Sequence, residues 1–262
     1  MNSEHNTGEA HSHVFAWNGL SFQIPCAWNL AAFDDSGRTL SVRMEDDTSI
    51  RLELEWVIAK GDLNLTRISE RFARLTKPVR ESAASVDQLT GLPQGWLATI
   101  CTMDDRRRLV IATHTDQPRR LCALFKFHLE PGGRRSAADL IAGVARTIEY
   151  RASGIIPWRV YDIAFDVPHQ GRLCRASFLA GRKLLTFEWR LRRLWLWTVS
   201  LADLALKNRP PGPWAADFIN QSKQIKGPLF AAGTDGTIFA HRSKGFYFGH
   251  FDELGRATMR YQ

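Results

Sequence analysis

Residues 184–206 read LLTFEWRLRRLWLWTVSLADLAL, and the first part of this stretch repeats a pattern from the start of the chain. Residues 185–189 and residues 52–56 both follow the order apolar, polar, apolar, Glu, Trp. Each copy comes after a short apolar segment that ends in proline, at residues 22–25 in one case and 165–168 in the other. Because the two matches occur in the same order, the sequence predicts two related units.

The length of the chain favours two domains, because 262 residues exceed the usual size of a single domain. An apolar content of 44% and a charged content of 24% are typical of a folded protein. The Ala-Ser-Gly sequence at residues 152–154 is a short candidate junction. We therefore predict a flexible tail over residues 1–13, a first domain over residues 14–150 and a smaller second domain over residues 155–262.

The amino terminus, MNSEHNTGEAHSH, is polar and lacks the apolar region of a signal peptide. No apolar run approaches the roughly 20 residues that span a bilayer. Cys26, Cys101, Cys122 and Cys174 lack metal-ligand spacing, so buried reduced thiols are the expectation. These features predict a cytoplasmic protein that does not insert into membranes.

The net charge of +8 is unevenly distributed along the chain. Residues 1–150 contain 18 Lys+Arg against 19 Asp+Glu, and residues 151–262 contain 17 against 8, a net charge of +9. A basic second half favours an acidic partner or a polyanion. The alternative is an ordinary solvated surface, because most of the basic residues are arginines in an Ala-rich chain, as in GC-rich coding.

The first half alternates between strand-like and helix-like patterns. Leu65, Ile68, Phe72 and Leu75 have helical spacing and Pro78 follows, which predicts a surface helix that ends before the proline. A second helix is predicted to begin with Ser136 as its N-cap. Three strands, a helix, three strands and a helix are thus expected, with strands at 14–25, 40–44, 50–56, 95–102, 108–115 and 121–129, of which the first is either one strand or a pair of strands.

The sequence of the second half predicts a similar but shorter series of strands and helices. Residues 184–201 fit either one long strand or a hairpin that turns at Arg192 and Arg193, and we favour the hairpin, followed by a short helix. Pro213 suits the first turn of a helix that carries Trp214, Phe218 and Ile225. The remaining strands are predicted at 158–167, 173–179, 237–240, 245–251 and 257–261, and no last helix is evident.

These elements define an α+β fold class, with two related units that each have a mostly antiparallel sheet and helices packed on it. The Phe-x-Ile/Val-Pro openings at 22–25 and 165–168, followed by a meander, a helix and a second meander, resemble the PsbP and bacterial DcrB-like proteins. The resemblance implies a mainly non-catalytic accessory or assembly protein that binds other proteins. Many members of that family are secreted or membrane-anchored, and this chain differs in lacking a signal sequence.

No motif for catalysis, a cofactor or a metal is recognisable. The chain lacks the GxSxG sequence that presents a nucleophile. His114 and His128 lie in predicted strands, and His169 at a strand end, where structural roles are the expectation. The acidic pairs lie in predicted turns, and the loop at 131–136 lacks both GxGxxG and the Walker lysine. The sequence therefore predicts a protein without enzymatic activity.

The best candidate for binding is a basic region that also contains Trp189, Trp195 and Trp197. Arginine and tryptophan are common hot-spot residues of protein interfaces, so a protein partner is the preferred interpretation. Nucleic acid is the alternative, through residues 151–262, because arginines beside aromatic rings neutralise phosphates and stack on bases. The candidate partner-binding residues are Arg172, Arg175, Arg182, Lys183, Arg190, Arg192 and Arg193.

Overall fold

The computed structural model describes residues 12–130, 137–190, 192–222, 230–232, 237–241 and 254–258. Its contacts divide the chain into two compact units. The first comprises Met1–Leu173 with Glu188–Arg192, and the second comprises Cys174–Phe187 with Arg193–Gln262. Among the described residues, no helix is both long enough and apolar enough to cross a membrane.

The elements up to the end of the second proline-terminated segment belong to the first unit. In chain order they are β1 (Ser12–Trp17), β2 (Leu20–Pro25), β3 (Asn29–Asp34), β4 (Leu40–Glu45), β5 (Ile50–Ile58), α1 (Leu65–Glu81), β6 (Ser85–Leu89), β7 (Trp96–Thr102), β8 (Arg108–Asp116), β9 (Leu121–Leu129), α2 (Ala137–Thr147), β10 (Glu149–Tyr150), β11 (Ile155–Val160) and β12 (Ile163–Pro168).

The later elements begin where the two units meet in sequence. They are β13 (Arg172–Leu179), β14 (Arg182–Trp189), β15 (Arg192–Val199), α3 (Ala202–Leu206), α4 (Pro211–Gln221), β16 (Ala231–Ala232), β17 (Thr237–His241) and β18 (Leu254–Thr258). The strands of this group form two three-stranded sheets, in the orders β13-β14-β15 and β16-β17-β18.

The two Pro-terminated segments form equivalent hairpins. β1 pairs with β2 and β11 pairs with β12, and each hairpin turns through a residue with positive φ, Asn18 at 48° and Tyr161 at 55°. Asn-Gly at 18–19 is a favoured sequence for such a tight turn. β1 also pairs with β11, at Ala16 and Arg159, so both hairpins lie in one sheet of order β10-β2-β1-β11-β12.

A seven-stranded antiparallel sheet, in the order β3-β4-β5-β9-β8-β7-β6, forms the rest of the first unit. Leu54, Phe125 and Ala112 are cross-strand partners on its core face. One residue along, Glu55, Leu124 and Thr113 are partners on the opposite face, called here the outer face. This alternation follows from the pleat of a β-strand, which directs successive side chains to opposite sides.

The core of the first unit lies where the core face meets the five-stranded sheet. The rings of Phe22 and Phe125 make an edge contact with centroids 5.9 Å apart, and Phe125 stacks on Phe127 at 5.8 Å. α2 buries Leu140, Ile141 and Val144, as its apolar spacing predicted. The hydroxyl of Thr147 at its end accepts a hydrogen bond from the Gln23 backbone of β2, which fixes the helix against that strand.

α1 begins as expected but continues past the proline that was predicted to end it. The Asn64 side chain caps its amino end by accepting a hydrogen bond from the Arg67 backbone. Pro78 lies inside the helix, and the Ser82 backbone N–H donates to the Pro78 carbonyl. Because proline has no backbone N–H, Pro78 removes one hydrogen bond near the carboxyl end of the helix. The last turn persists because the other carbonyls of that turn still accept hydrogen bonds.

The α+β class and the mostly antiparallel sheets are confirmed, but the arrangement of strands differs from the prediction. β3 and β6 were not predicted, and β6 is largely exposed, so it lacks the apolar face that marks a strand in a sequence. The predicted strand at 158–167 is the hairpin β11–β12, and the first hairpin lies in a different sheet from β4 and β5. The contacts divide the chain after residue 173, because β11 pairs with β1, and the predicted domain bounds stay a prediction.

The opening stretch of the sequence forms the favoured hairpin and short helix. β14 ends at Trp189 and β15 begins at Arg192, so the turn precedes the predicted position, with Arg190 at a φ of 54°. Residues 52–56 lie on β5 and residues 185–189 on β14, the third and the second strand after their respective hairpins. The structural relation between the two halves therefore stays a prediction. The two hairpins support it better than the repeated Glu-Trp pattern does.

Several predicted features lie at the edge of the described residues or outside them. Ser12 and His13 of the predicted tail belong to β1, and residues 1–11 lie outside the description. Ser136, Ile225 and the strand predicted at 245–251 also lie outside it. β17 corresponds to the strand predicted at 237–240, whereas β18 shares only residues 257 and 258 with the strand predicted at 257–261, whose remainder lies outside the described residues.

A partly buried ion-pair network closes the turn between β4 and β5. Arg51, which is only 8% exposed, pairs with Asp46 and Glu130 and donates a hydrogen bond to the Thr48 hydroxyl. Burial opposes ionisation of Asp46, but hydrogen bonds from Arg51, Thr48 and Ser49 together hold the pKa of its carboxyl well below the usual range. The network ties the β4–β5 turn to the residue that follows β9.

Replacing Arg51 should destabilise the fold, because it leaves the carboxylate of Asp46 without its cation. We expect Arg51→Met to lower the free energy of unfolding by about 3 kcal/mol in urea titrations at neutral pH. The matched control is Arg107→Met, which removes an exposed pair with Asp105 and should cost less than about 0.5 kcal/mol. Equal losses in the two variants would contradict the structural role of the network.

Candidate functional site

The two histidines considered as a catalytic pair lie on opposite faces of the seven-stranded sheet. His114 lies four residues after Val110 on β8, so the two side chains point to the same face of the sheet. Val110 pairs with Phe127, which is on the core face. His128 is one residue beyond Phe127 and therefore lies on the outer face. There its Nε2 is 2.9 Å from a carboxylate oxygen of Glu53. The two rings therefore cannot act on one substrate.

His114 has the surroundings of a structural histidine. Its ring stacks on Trp96 with centroids 4.8 Å apart, and its buried Nδ1 has no hydrogen-bond partner among the described residues. Burial lowers the pKa of His114, and the nearby Asp116 opposes that effect only in part. The ring is therefore held in its neutral form.

The depressed pKa of His114 should make the fold sensitive to mild acid. The unfolded chain binds a proton near the ordinary value of 6.5, but the folded chain resists it, so stability falls as the pH drops below about 6.5. We expect His114→Phe to lose less stability than wild type between pH 7.5 and pH 5.5 in urea titrations. Leu97→Phe, which places the same new side chain at an exposed position without a titratable group, should keep the wild-type slope. Identical slopes in wild type and His114→Phe would contradict this account.

Of the acidic pairs considered as possible acid–base or metal sites, those at 34–35, 46–47 and 104–105 lie at turns or bends, and the pair at 252–253 lies outside the described residues. Asp34 accepts hydrogen bonds from Ser36, and Asp105 accepts them from Arg107, each two residues along. Such bonds are typical of Asp in tight turns. Within the part of the chain that the structure describes, no three His, Cys, Asp or Glu side chains are grouped so as to hold a metal ion.

The seven candidate basic residues are divided between the two units. Arg172, Arg190 and Arg192 fall in the first unit, and Arg175, Arg182, Lys183 and Arg193 fall in the second. Within the first unit, burial raises the pKa of Asp35 and the charge of Arg172 opposes that rise. Within the second unit, Arg182 and Lys183 are adjacent on β14 and so point to opposite faces of the sheet.

Helix α4 of the second unit covers the sheet face that carries Arg182. The Arg182 guanidinium lies 5.9 Å from the ring centre of Phe218, and Trp197 makes an edge contact with the same ring at 5.9 Å. Arg193 lies 5.7 Å from the ring centre of Trp195. These tryptophan rings therefore already have partners, as expected of aromatic residues that belong to a core, and they do not form an open stacking platform.

A group of exposed leucines lies beside Arg182 and was missed in the sequence analysis. Leu179 is 57% exposed, Leu201 is 71% exposed and Leu204 is 70% exposed, and all three line one shallow depression with Arg182. We call these four residues the leucine–arginine surface. Its signal in the sequence is weak: Leu201 and Leu204 follow a strand and precede a Pro-rich loop without completing a helical stripe.

A second depression, the α1 cleft, lies in the first unit between α1 and the outer face of the sheet. It has a volume of about 270 Å³. Glu55, Leu124 and Thr113 form one cross-strand row of its floor, with Cys122 in the next row, and Ile68, Phe72 and Leu75 of α1 form its roof. Burial raises the pKa of the Cys122 thiol, and Arg71 opposes this only in part.

No family model matches the chain, and no curated protein matches it. Comparison with solved structures returns the solution structure of cyanobacterial PsbP (CyanoP) from Synechocystis sp. PCC 6803. The two are 14% identical, the match covers 58% of this chain and 99% of that chain, and the TM-score is 0.38. The resemblance to PsbP is thus confirmed as a weak likeness of fold, and at this level it carries no argument about activity, partners or location.

Proposed function

We propose that the protein is a non-enzymatic accessory protein that binds an acidic partner protein through its leucine–arginine surface. The observation that carries this proposal is the exposure of three leucines around one arginine in a single depression. Apolar side chains that are grouped on a surface and rimmed by charge typically mark a protein interaction site, whereas single exposed leucines do not.

The expected partner segment is apolar and acidic, for two reasons. The leucines offer an apolar contact that water solvates poorly. Arg182 is exposed, and no carboxylate of the described residues pairs with it, while residues 151–262 carry a net charge of +9. A carboxylate of the partner would accept hydrogen bonds from this guanidinium in the bidentate geometry that arginine favours.

Capture from a lysate of the source cells, after nuclease treatment, tests this proposal. We expect the wild-type protein to retain a discrete set of proteins that Leu204→Asp and Arg182→Glu each reduce at least about tenfold, as for loss of an interface anchor. Leu65→Asp is the matched control, because Leu65 is 56% exposed on α1 in the first unit. Capture that is equal in all four proteins would rule out the leucine–arginine surface as the interface.

Nucleic-acid binding is the second candidate function, and the basic charge of the later residues favours it. Arg175 and Arg182 are exposed, and neither forms an ion pair with another described residue. Guanidinium groups without an ion-pair partner on a basic surface attract phosphates, with an affinity that falls steeply as salt rises. The tryptophans are less available for stacking on bases than their sequence positions suggest. Phe218 already contacts the ring of Trp197, and Arg193 lies over the ring of Trp195.

Binding of a single-stranded oligonucleotide of about 30 nucleotides, followed by fluorescence anisotropy, tests this second candidate. We expect affinity to fall at least about tenfold between roughly 50 mM and 200 mM salt, and to fall further in Arg190→Ala/Arg192→Ala/Arg193→Ala. The triple variant Arg74→Ala/Arg80→Ala/Arg106→Ala removes the same charge from exposed positions elsewhere and should retain more affinity. Salt-independent binding, or none at low salt, would exclude a nucleic-acid role.

A further inference from the structure

The α1 cleft lies in the first unit and takes no part in the proposed protein interaction. We propose that the α1 cleft binds an uncharged, mostly apolar small molecule that carries one hydrogen-bonding oxygen, such as an alcohol or a ketone. Three properties of the cleft lead to this class of ligand: its volume, the incomplete burial of the helix that covers it, and the polar groups at its floor and mouth.

The volume of about 270 Å³ sets the size of the ligand. A water molecule takes about 30 Å³ in the liquid, and a methylene group takes a similar volume. The cleft therefore accommodates an aliphatic or aromatic molecule of about ten non-hydrogen atoms. This is close to the lower end, about 300 Å³, of the range usual for ligand pockets.

The helix above the cleft leaves its own apolar side chains incompletely covered. Of the 17 residues of α1, only Thr76 is buried. Ile68 and Phe72 face the sheet but remain half-buried, and Leu75 is 40% exposed. An apolar ligand in the cleft would remove these side chains and Leu124 of the floor from water, which favours binding.

Thr113 supplies the polar contact. It lies on the cleft floor and is only 5% exposed as a residue, and its hydroxyl is not one of the fully buried polar atoms that lack a partner. A threonine hydroxyl in the cleft lining can donate a hydrogen bond to a ligand oxygen or accept one from a ligand hydroxyl. This feature selects a ligand with a single hydrogen-bonding group over a pure hydrocarbon.

The charged side chains at the mouth of the cleft balance one another. Arg71 lies 3.9 Å from Glu55, and Arg67 and Asp62 add one charge of each sign. The mouth therefore has no net charge with which to attract an ion. An anionic or cationic ligand would lose its hydration without gaining a compensating partner, so an uncharged ligand is favoured.

The first test uses 2-naphthol, which is uncharged at neutral pH, fluorescent and of suitable size, with naphthalene and 2-naphthoate as comparison ligands. We expect saturable binding of one 2-naphthol per chain and at least about tenfold weaker binding of the anion 2-naphthoate. Thr113→Val, which keeps the shape of the side chain, should weaken 2-naphthol about fivefold and leave naphthalene unchanged. Thr99→Val, on the same sheet face outside the cleft, should bind both as wild type does.

Alkylation by N-ethylmaleimide locates the bound molecule. Cys122 lines the cleft, whereas Cys26 is exposed and lies outside it. We expect saturating 2-naphthol to slow the alkylation of Cys122 at least about threefold, measured by mass spectrometry, without changing the rate at Cys26. Three results would each overturn the proposal. They are no saturable binding up to about 1 mM, equal alkylation rates at Cys122 with and without 2-naphthol, and protection of Cys122 by self-association of the protein when no ligand is present.

Discussion

The pairing of β1 with β11 is the contact on which the architecture of the first unit depends. It joins two hairpins from opposite ends of that unit into one sheet, at the bridge between Ala16 and Arg159. Trp17 and Trp158, each 1% exposed, meet edge to face at this junction with centroids 4.9 Å apart. An aromatic pair of this kind contributes about 1 kcal/mol beyond the burial of its area. The junction also explains why the contact boundary follows the second hairpin.

Both candidate binding features follow from side chains that the core leaves uncovered. In the first unit, the aromatic residues of the core face are buried between two sheets, whereas the outer face has only the half-buried stripe of α1 above it. In the second unit, Trp197 packs against Phe218 while Leu201 and Leu204 remain outside that contact. Incompletely covered apolar surface keeps its affinity for other apolar groups, so it is available for a ligand or a partner.

Some elements were predictable because their patterns depend on near neighbours alone. β7, β8 and β9 are antiparallel neighbours with turns at 103–107 and 117–120, and α2 buries the apolar stripe that its spacing shows. The candidate sites were less predictable. The arginines around residues 190–193 were recognised by composition, but which of them share a sheet face depends on where β14 ends and β15 begins. Thr113 and Cys122 offered no signal, because nothing in their local sequence indicates that a helix lies above them.

The sequence by itself determined the α+β class, the alternating faces of the strands, the turns between β7, β8 and β9 and the basic charge of the later residues. These properties arise from side-chain periodicity, turn chemistry and simple charge, which act over a few residues. The tertiary structure alone decided that His114 and His128 lie on opposite faces, that β11 joins β1, and that a cleft lies under α1. Those outcomes depend on register and on packing between segments far apart in the chain, because a shift of one residue would reverse every face.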